Sequence, residues 1–191
     1  MKIVIKNDQE NYGLISKLLH WLIALATFGL FGLGLWMTDL GYYDEWYQKA
    51  PKLHEGIGVF LFIFLIIRIV WRWISPLPEP VSTLKKWERT GSHFAHSLLN
   101  LLLLVITISG YLIITAKGEP VHVFDLFIVP ATNLNDIFYL EGLANQEDLA
   151  GEIHYYVAWG LIVLAGIHAL AAFKHHFIDK DRTLDRMLGR K

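Results

Sequence analysis

The sequence predicts an all-α membrane protein, a bundle of four transmembrane helices with both termini in the cytoplasm. Three observations lead to this prediction. The chain of 191 residues is 54% hydrophobic, which is more than most soluble domains contain. Four apolar runs are each long enough to cross a hydrocarbon core of about 30 Å. The lysines and arginines are strongly segregated along the chain, as they are in membrane proteins with a fixed orientation.

The transmembrane domain is predicted over residues 16–178, between a cytoplasmic N-terminal tail at 1–15 and a charged cytoplasmic C-terminal tail at 179–191. The N-terminal tail is expected to be disordered or interfacial. The first apolar run is expected to be a retained anchor, because it is too long for the apolar part of a signal peptide and has no cleavage site. The four helices are predicted over residues 16–38, 53–74, 91–115 and 152–177.

Three connections join the predicted helices. A short segment rich in tyrosine, tryptophan and acidic residues follows the first helix. The segment Ser75–Thr90 contains three prolines and is predicted as an exposed loop, because proline disrupts a helix interior. The long connection Ala116–Gly151 is expected to include a short surface helix near Asn135–Leu140.

The basic residues set the predicted orientation. Four spans place both tails and the second connection on one side, and all but three of the seventeen lysines and arginines belong to that side. Because basic residues are retained in the cytoplasm, both termini are predicted there, in a bacterial inner membrane. The three exceptions on the outer side are Lys49, Lys52 and Lys117. The acidic residues of that side are Asp39, Asp44, Glu45, Glu55, Glu119, Asp125, Asp136, Glu141, Glu147, Asp148 and Glu152.

Histidine is the expected metal ligand. The chain has nine histidines and no cysteine, which excludes disulfides, iron–sulfur clusters and covalently attached c-type haem. An ionisable residue inside a membrane is a functional candidate by default. The histidines of the apolar runs therefore predict a bound metal or metal cofactor.

His154 and His168 of the fourth predicted helix are fourteen residues apart. At 3.6 residues per turn this spacing places both on one helix face, separated by roughly 21 Å along the axis. Small residues beside them leave room for a flat group, so two stacked haems are predicted. Matching the depths of the histidines pairs His54 with His154 at the outer end and His20 with His168 at the inner end. These four side chains are the predicted axial ligands of the haem irons.

Two histidines of the third helix leave an alternative open. His93 and His96 lie one turn apart near the cytoplasmic surface, and either of them is a rival to His20. They are otherwise expected to contact haem propionates or a quinone. Two imidazoles on each iron leave no open position, which favours electron transfer over oxygen chemistry. A bundle without haem that binds zinc through the same histidines is a further alternative.

Haem propionates are anionic and need cationic partners. Lys17, Arg68 and Arg72 lie at the depth of the inner haem, and Lys49 and Lys52 lie at the depth of the outer one. The same cations also have an ordinary explanation, because positive residues anchor cytoplasmic helix ends.

The chain resembles the bacterial cytochrome b561 family, which is related to the cytochrome b subunits of nickel–iron hydrogenase and formate dehydrogenase. The resemblance covers nearly the whole chain, and it implies four helices and two b-type haems ligated by the same two histidine pairs. The stretches that carry it include Leu19-His20-Trp21, His54-Glu55-Gly56-Ile57-Gly58, His93-Phe94-Ala95-His96, Ile153-His154, Gly166-Ile167-His168-Ala169 and His175-His176-Phe177.

The predicted function is that of a membrane di-haem b-type cytochrome that transfers electrons between a periplasmic donor and the quinone pool. Some members of the family resemble a superoxide oxidase, so an enzyme that passes electrons from superoxide to ubiquinone is an alternative. A membrane-anchor cytochrome b subunit of a partner dehydrogenase is another. The acidic outer face disfavours an anionic substrate and suits a basic donor protein. Lipid and quinone are expected partners, and nucleic acid is not.

Overall fold

The computed structural model describes residues 4–81, 84–132 and 145–189. The elements are α1 (Leu14–Thr38), α2 (Lys49–Ile74), α3 (Lys86–Thr115), β1 (Val121–Val123), β2 (Phe127–Val129), α4 (Gln146–Phe177) and α5 (Thr183–Leu188). Four of the helices in the described ranges, α1 to α4, are long and apolar enough to cross a membrane. The two strands form a small β-hairpin between α3 and α4.

The four long helices begin earlier than the apolar runs do, and polar groups cap the starts of α3 and α4. The prediction that the loop extends to Thr90 is wrong, since α3 begins at Lys86. The Lys85 backbone N–H donates to Glu88 Oε2 at 2.9 Å and fixes that start. The Asn145 side chain caps α4 by accepting from the Glu147 N–H at 3.2 Å. The surface helix expected near residues 135–140 falls outside the described residues.

An apolar cluster holds the four long helices together. Within the bundle α1 packs on α2, α3 packs on α4, and α2 also contacts α3. Lipid is as apolar as the core, so close packing rather than exclusion of water stabilises such contacts. Every long helix contributes to the cluster, whose buried members are Ile23, Leu30, Leu61, Leu65, Leu103 and Leu161.

A β-hairpin that the sequence did not predict covers one end of the bundle, here called the hairpin end. Its strands are antiparallel, and Val121 and Val123 are fully buried, with 1% and 0% of their surface exposed. The Leu126 N–H donates to the Val123 carbonyl at 2.9 Å. The two residues between them, Phe124 and Asp125, have φ angles of 45° and 58°, which is the left-handed region that non-glycine residues rarely adopt.

Packing of the Phe124 ring explains why this backbone is tolerated. The ring stacks on Phe60 with centroids 6.1 Å apart and planes at 17°. It also lies against Gly56 of α2, where a Cβ atom would come within 2.7 Å of the ring. A left-handed non-glycine residue costs about 1–2 kcal/mol, and the ring contacts offset that cost. Gly56 therefore sets how closely the hairpin approaches α2.

The opposite end of the bundle, here called the terminal end, contains the N-terminal segment from residue 4 onward and helix α5. The Asn7 N–H donates to Ser75 Oγ at 2.8 Å, and the Glu79 N–H donates to the Gln9 carbonyl at 2.9 Å. Arg186 of α5 donates to the Glu79 carbonyl at 2.7 Å. The N-terminal tail was expected to be disordered or interfacial, and disorder is wrong for residues 4–12, because hydrogen bonds tie them to the loop after α2.

Substitution of Gly56 tests the packing of the hairpin. We expect Gly56→Ala to lower the free energy of unfolding by about 1–3 kcal/mol, the usual cost of overpacking. Gly58→Ala is the matched control on the same helix, because a Cβ there would meet no atom within 4 Å. Thermal unfolding in detergent measures both variants. Equal midpoints for the two variants would show that Gly56 does not limit the approach of Phe124.

Candidate functional site

Two histidines face each other at the hairpin end. His54 of α2 and His154 of α4 have ring centroids 6.1 Å apart, with planes at 65°. Glycines on the other two helices lie against these rings. A Cβ at Gly34 of α1 would lie 3.4 Å from His54 Cε1, and a Cβ at Gly110 of α3 would lie 3.0 Å from His154 Cε1. All four long helices thus shape this site, which we call the outer pair.

The hydrogen bonds of His154 decide which ring nitrogen is free. His154 Nδ1 lies 3.0 Å from the Ile106 carbonyl oxygen and 3.2 Å from Ser109 Oγ. Because a carbonyl only accepts, Nδ1 carries the proton. Nε2 of the neutral ring then keeps its lone pair. A histidine that ligates a metal has this arrangement, with the second nitrogen bound to a backbone carbonyl.

His54 contributes an unsatisfied polar atom to the same site. Its Nδ1 is buried and has no hydrogen-bond partner among the described residues. An unsatisfied buried polar group costs about 1–3 kcal/mol. In the outer pair, His154 is therefore held in the orientation of a metal ligand, and the described residues supply no partner for His54 Nδ1. Both features are expected of a site that binds a metal cofactor.

Three histidines converge nearer the terminal end. His20 of α1 and His168 of α4 have centroids 6.3 Å apart with planes at 69°, and we call them the inner pair. His96 of α3 lies closer to His168, at 5.0 Å. Two imidazoles on one metal have ring centres roughly 6 Å apart, since each metal–nitrogen bond is about 2 Å long. The separation of His20 from His168 fits this value, and the separation of His96 from His168 is shorter.

Arginines of α2 place positive charge beside the inner pair. Arg68 is close enough to His20 and His168 to interact with them electrostatically, and both Arg68 and Arg72 are close enough to interact with His96. In the part of the chain that the structure describes, neither arginine forms an ion pair with a carboxylate. A half-buried guanidinium without a counter-ion is unfavourable, so the inner pair suits an anionic cofactor such as haem with its propionates.

The other predicted contact residues are more dispersed. Lys17 points toward the C-terminal end of α5, since its Nζ lies 3.1 Å from the position of a Cβ at Gly189. Lys52 is exposed and interacts with Glu55, and His93 is exposed on α3. The structure thus brings Arg68, Arg72 and His96 to the inner pair rather than Lys17 or His93.

An ion-pair cluster at the terminal end was missed in the sequence, because its partners are far apart along the chain. Lys174 Nζ lies 2.7 Å from Glu88 Oε1 and 2.6 Å from Asp179 Oδ2. His175 Nδ1 lies 2.7 Å from the same Asp179 oxygen. The ligand atoms of Glu88, His175 and Asp179 are within 4.8 Å of one another. Because the Lys174 ammonium bridges the two carboxylates, the cluster functions as a link between α3 and the end of α4.

A four-helix membrane bundle with two facing histidine pairs has the fold and the ligand types expected of one class of protein, the membrane b-type cytochromes. The chain belongs to the prokaryotic cytochrome b561 family, whose model matches residues 11–190. It is 50% identical over 184 residues to cytochrome b561 homolog 2 of Escherichia coli (strain K12), a match that covers 96% of this chain and 94% of that protein.

More distant relatives match over similar lengths. The chain is 26% identical over 185 residues to the probable superoxide oxidase CybB of Yersinia pestis, covering 95% of this chain and 98% of that protein. It is 24% identical over 177 residues to cytochrome b561 homolog 1 of E. coli (strain K12), a match that covers 91% of this chain and 94% of that protein. The resemblance, the all-α bundle of four membrane helices and the location in the bacterial inner membrane are confirmed, and the cytoplasmic placement of both termini stays a prediction. The chain is a multi-pass b-type cytochrome that binds b-type haem.

The ion-pair cluster gives a prediction about pH. Hydrogen bonds from Lys174 and His175 lower the pKa of Asp179 below its ordinary value of 3.8. Because the folded pKa is the lower one, the stabilisation is full above the unfolded pKa and is lost as the pH falls through the folded value. We therefore expect Asp179→Asn to lower the thermal midpoint at neutral pH, and the difference from the wild type to shrink as the pH falls below 3.8 and through the folded pKa of Asp179.

The exposed Asp39 provides a matched control. We expect Asp39→Asn to leave the thermal midpoint near the wild-type value at every pH. A difference between Asp179→Asn and the wild type that persists unchanged in acid would show that the Asp179 charge does not stabilise the terminal end.

Proposed function

We propose that this cytochrome carries electrons across the membrane through two b-type haems, between a donor at the hairpin end and the quinone pool. The outer pair, His54 and His154, would hold one haem iron, and the inner pair, His20 and His168, would hold the other. The observation that supports this most directly is the near-equal separation of the two pairs, 6.1 Å and 6.3 Å. Both values suit an iron between two imidazoles.

The chain's own residues set the conditions for the transfer. Bound haem supplies one-electron redox chemistry. A haem iron held by a histidine on each side would have no coordination position left for oxygen, which favours electron transfer. The Ile106 carbonyl orients His154 and fixes its tautomer. Arg68 provides positive charge for propionates at the inner pair.

The orientation follows from the distribution of charge over the two ends. Three segments meet at the terminal end: the N-terminal segment, helix α5, and the loop that follows α2. Together with the adjacent helix ends they contain most of the basic residues. Under the positive-inside rule this end faces the cytoplasm. The hairpin end and the outer pair then face the periplasm, where the donor acts.

The charges of the hairpin end favour a basic donor protein. Two of its three lysines are already paired, Lys49 with Glu45 and Lys117 with Glu147. The cations therefore do not form a funnel that would steer an anion, and the remaining acidic surface is complementary to a cationic protein. A basic c-type cytochrome or a basic dehydrogenase subunit has the required chemistry.

The second candidate is oxidation of superoxide, which passes its electron to a quinone. It is favoured by the similarity of the whole chain to the probable superoxide oxidase CybB of Y. pestis. The two candidates share the same haem arrangement and differ in the donor. Reduction of quinone by superoxide with the purified chain alone would favour the enzyme, whereas a requirement for a donor protein would favour the electron carrier.

Single histidine substitutions test the proposed ligation. We expect His54→Ala and His20→Ala each to lose one haem per chain, and the two variants to retain haems of different midpoint potential. Reduced-minus-oxidised optical spectra and redox titration of the purified proteins measure this. The exposed His122 is the control, and His122→Ala is expected to keep both haems. Loss of the same haem in both variants, or of none, would contradict the pairing.

A further inference from the structure

We propose that the connection between α1 and α2, residues 39–48, is the docking surface for the electron donor, and that the donor is a small basic c-type cytochrome that binds transiently. We call this connection the aromatic loop. The inference rests on the proposed function and names the surface that the donor contacts. Three features of the loop support it, namely exposed tyrosine rings, unpaired carboxylates and a position beside the outer pair.

The tyrosines of the aromatic loop form an exposed cluster. The Tyr42 ring packs edge-on against Tyr43, with centroids 5.4 Å apart, and against Tyr47, with centroids 5.6 Å apart. Tyr42 and Tyr43 nevertheless expose 74% and 97% of their surfaces. Tyrosine is among the residues that contribute most to binding at protein interfaces, because its large ring loses little conformational freedom. The cluster therefore offers two anchors to a partner.

Hydrogen bonds within the aromatic loop hold these rings in place. The Asp44 N–H donates to the Gly41 carbonyl at 2.9 Å, and the Tyr47 N–H donates to the Asp44 carbonyl at 3.1 Å. The Asp44 side chain accepts from the Trp46 N–H at 2.8 Å. A surface that is ordered before binding loses less conformational entropy when the partner docks. The loop is therefore preorganised as a docking surface.

The charge of the aromatic loop selects a basic partner. Asp39 and Asp44 are exposed, and neither forms an ion pair with a basic side chain in the described part of the chain. Glu45 is paired with Lys49. The described residues of the hairpin end include nine acidic side chains and three lysines, so the wider surface has the same sign. Such a surface attracts a cationic protein and orients it on approach.

The membrane interface is the ordinary explanation for exposed aromatic residues near a helix end. The order Tyr42-Tyr43-Asp44-Glu45 places two carboxylates directly beside the two most exposed rings. Burial of an unpaired carboxylate is unfavourable, so insertion of these rings into the interface would draw Asp44 away from water. A basic protein instead supplies cations for the carboxylates while its surface covers the rings. The combination of rings and acids therefore favours a protein partner.

The aromatic loop lies beside the outer pair. The Ala50 N–H donates to the Trp46 carbonyl at 2.9 Å, which continues the helical bonding of α2 back into the loop. Trp46, Ala50 and His54 are therefore spaced four residues apart on one face, and Trp46 lies roughly 12 Å along the axis from His54. On α1, Trp36 contacts Trp46 with centroids 5.8 Å apart. Because electron transfer slows steeply with distance, a donor that docks on this loop is well placed to reach the haem proposed at His54.

The size of the aromatic loop favours a transient contact. A stable complex uses about 20–30 residues on each side, whereas electron-transfer encounters have the smallest interfaces. The loop is a short segment, residues 39–48, so it suits a mobile carrier better than a permanently bound dehydrogenase subunit. In each encounter one ferrous donor haem is oxidised to the ferric state and one haem iron of this chain is reduced. No covalent bond forms or breaks, and two encounters supply the electrons for one quinol.

Binding is tested with mitochondrial cytochrome c, a basic c-type cytochrome, as the probe. A carbodiimide joins carboxylates to lysines that they contact, and we expect the crosslinked peptides to contain Asp39 and Asp44. Titration calorimetry of the intact protein in nanodiscs measures the affinity. We expect Tyr43→Ser to raise the dissociation constant about five-fold. Leu126 of the hairpin is 70% exposed at the same end, so Leu126→Ser is the matched control with the wild-type affinity.

Electron transfer is tested in the outward direction, since the same contact serves both directions. Protein reduced beforehand is mixed with ferric cytochrome c, and the oxidation of its haem is followed by stopped flow. Asp44→Asn keeps the oxygen that accepts from the Trp46 N–H and removes the charge. We expect it to lower the second-order rate constant about three-fold at an ionic strength of about 10 mM, and the difference to vanish at about 0.5 M. The exposed Asp125 of the hairpin provides the control, and Asp125→Asn is expected to have a smaller effect.

The outcomes distinguish the docking surface from the function itself. Equal effects of Asp44→Asn and Asp125→Asn, crosslinks confined to the hairpin, or no reaction of the wild type with cytochrome c would each overturn the inference. Unchanged affinity in Tyr43→Ser, with weaker retention of that variant in lipid, would also overturn it by showing that the loop contacts the membrane. Reoxidation of the haems by ubiquinone-1 in the same samples tests the proposed function separately. Its absence overturns the proposed function and this inference together.

Discussion

The rest of this structure depends on one constraint, that the ring nitrogens of histidines buried in an apolar bundle must find partners. Each ring nitrogen in the membrane needs a partner, because no water is present to provide one. The outer pair obtains one partner from the Ile106 carbonyl, while His54 Nδ1 has none among the described residues. In the proposed function a cofactor held between facing rings would resolve this, and α1, α2 and α4 would have to keep their histidines at matched depths.

Helix α3 shapes both sites although none of the four facing histidines belongs to it. Gly110 makes room for the His154 ring, and the Ile106 carbonyl one turn earlier orients that ring. Nearer the terminal end, His96 packs against His168. The Lys174–Glu88 ion pair ties the start of α3 to the end of α4. The register of α3 against α4 thus links fold stability to the geometry of both sites.

The sequence allowed prediction of features that depend on periodicity and depth. The fourteen-residue spacing of His154 and His168 placed both on one face of α4, and the structure brings His54 and His20 next to them. Features that depend on contacts between distant residues were not predictable. The hairpin requires a left-handed Phe124 that only its packing on Gly56 and Phe60 explains. The early start of α3 depends on a cap at Lys85, which hydropathy does not reveal.

The most direct measurement of the central claim is the haem content of the intact protein. The purified wild-type chain would be assayed for b-type haem per polypeptide, together with its low-temperature electron paramagnetic resonance spectrum. The account predicts two haems per chain, both low-spin with two imidazole ligands. A single haem per chain, or a high-spin iron with an open position, would contradict it.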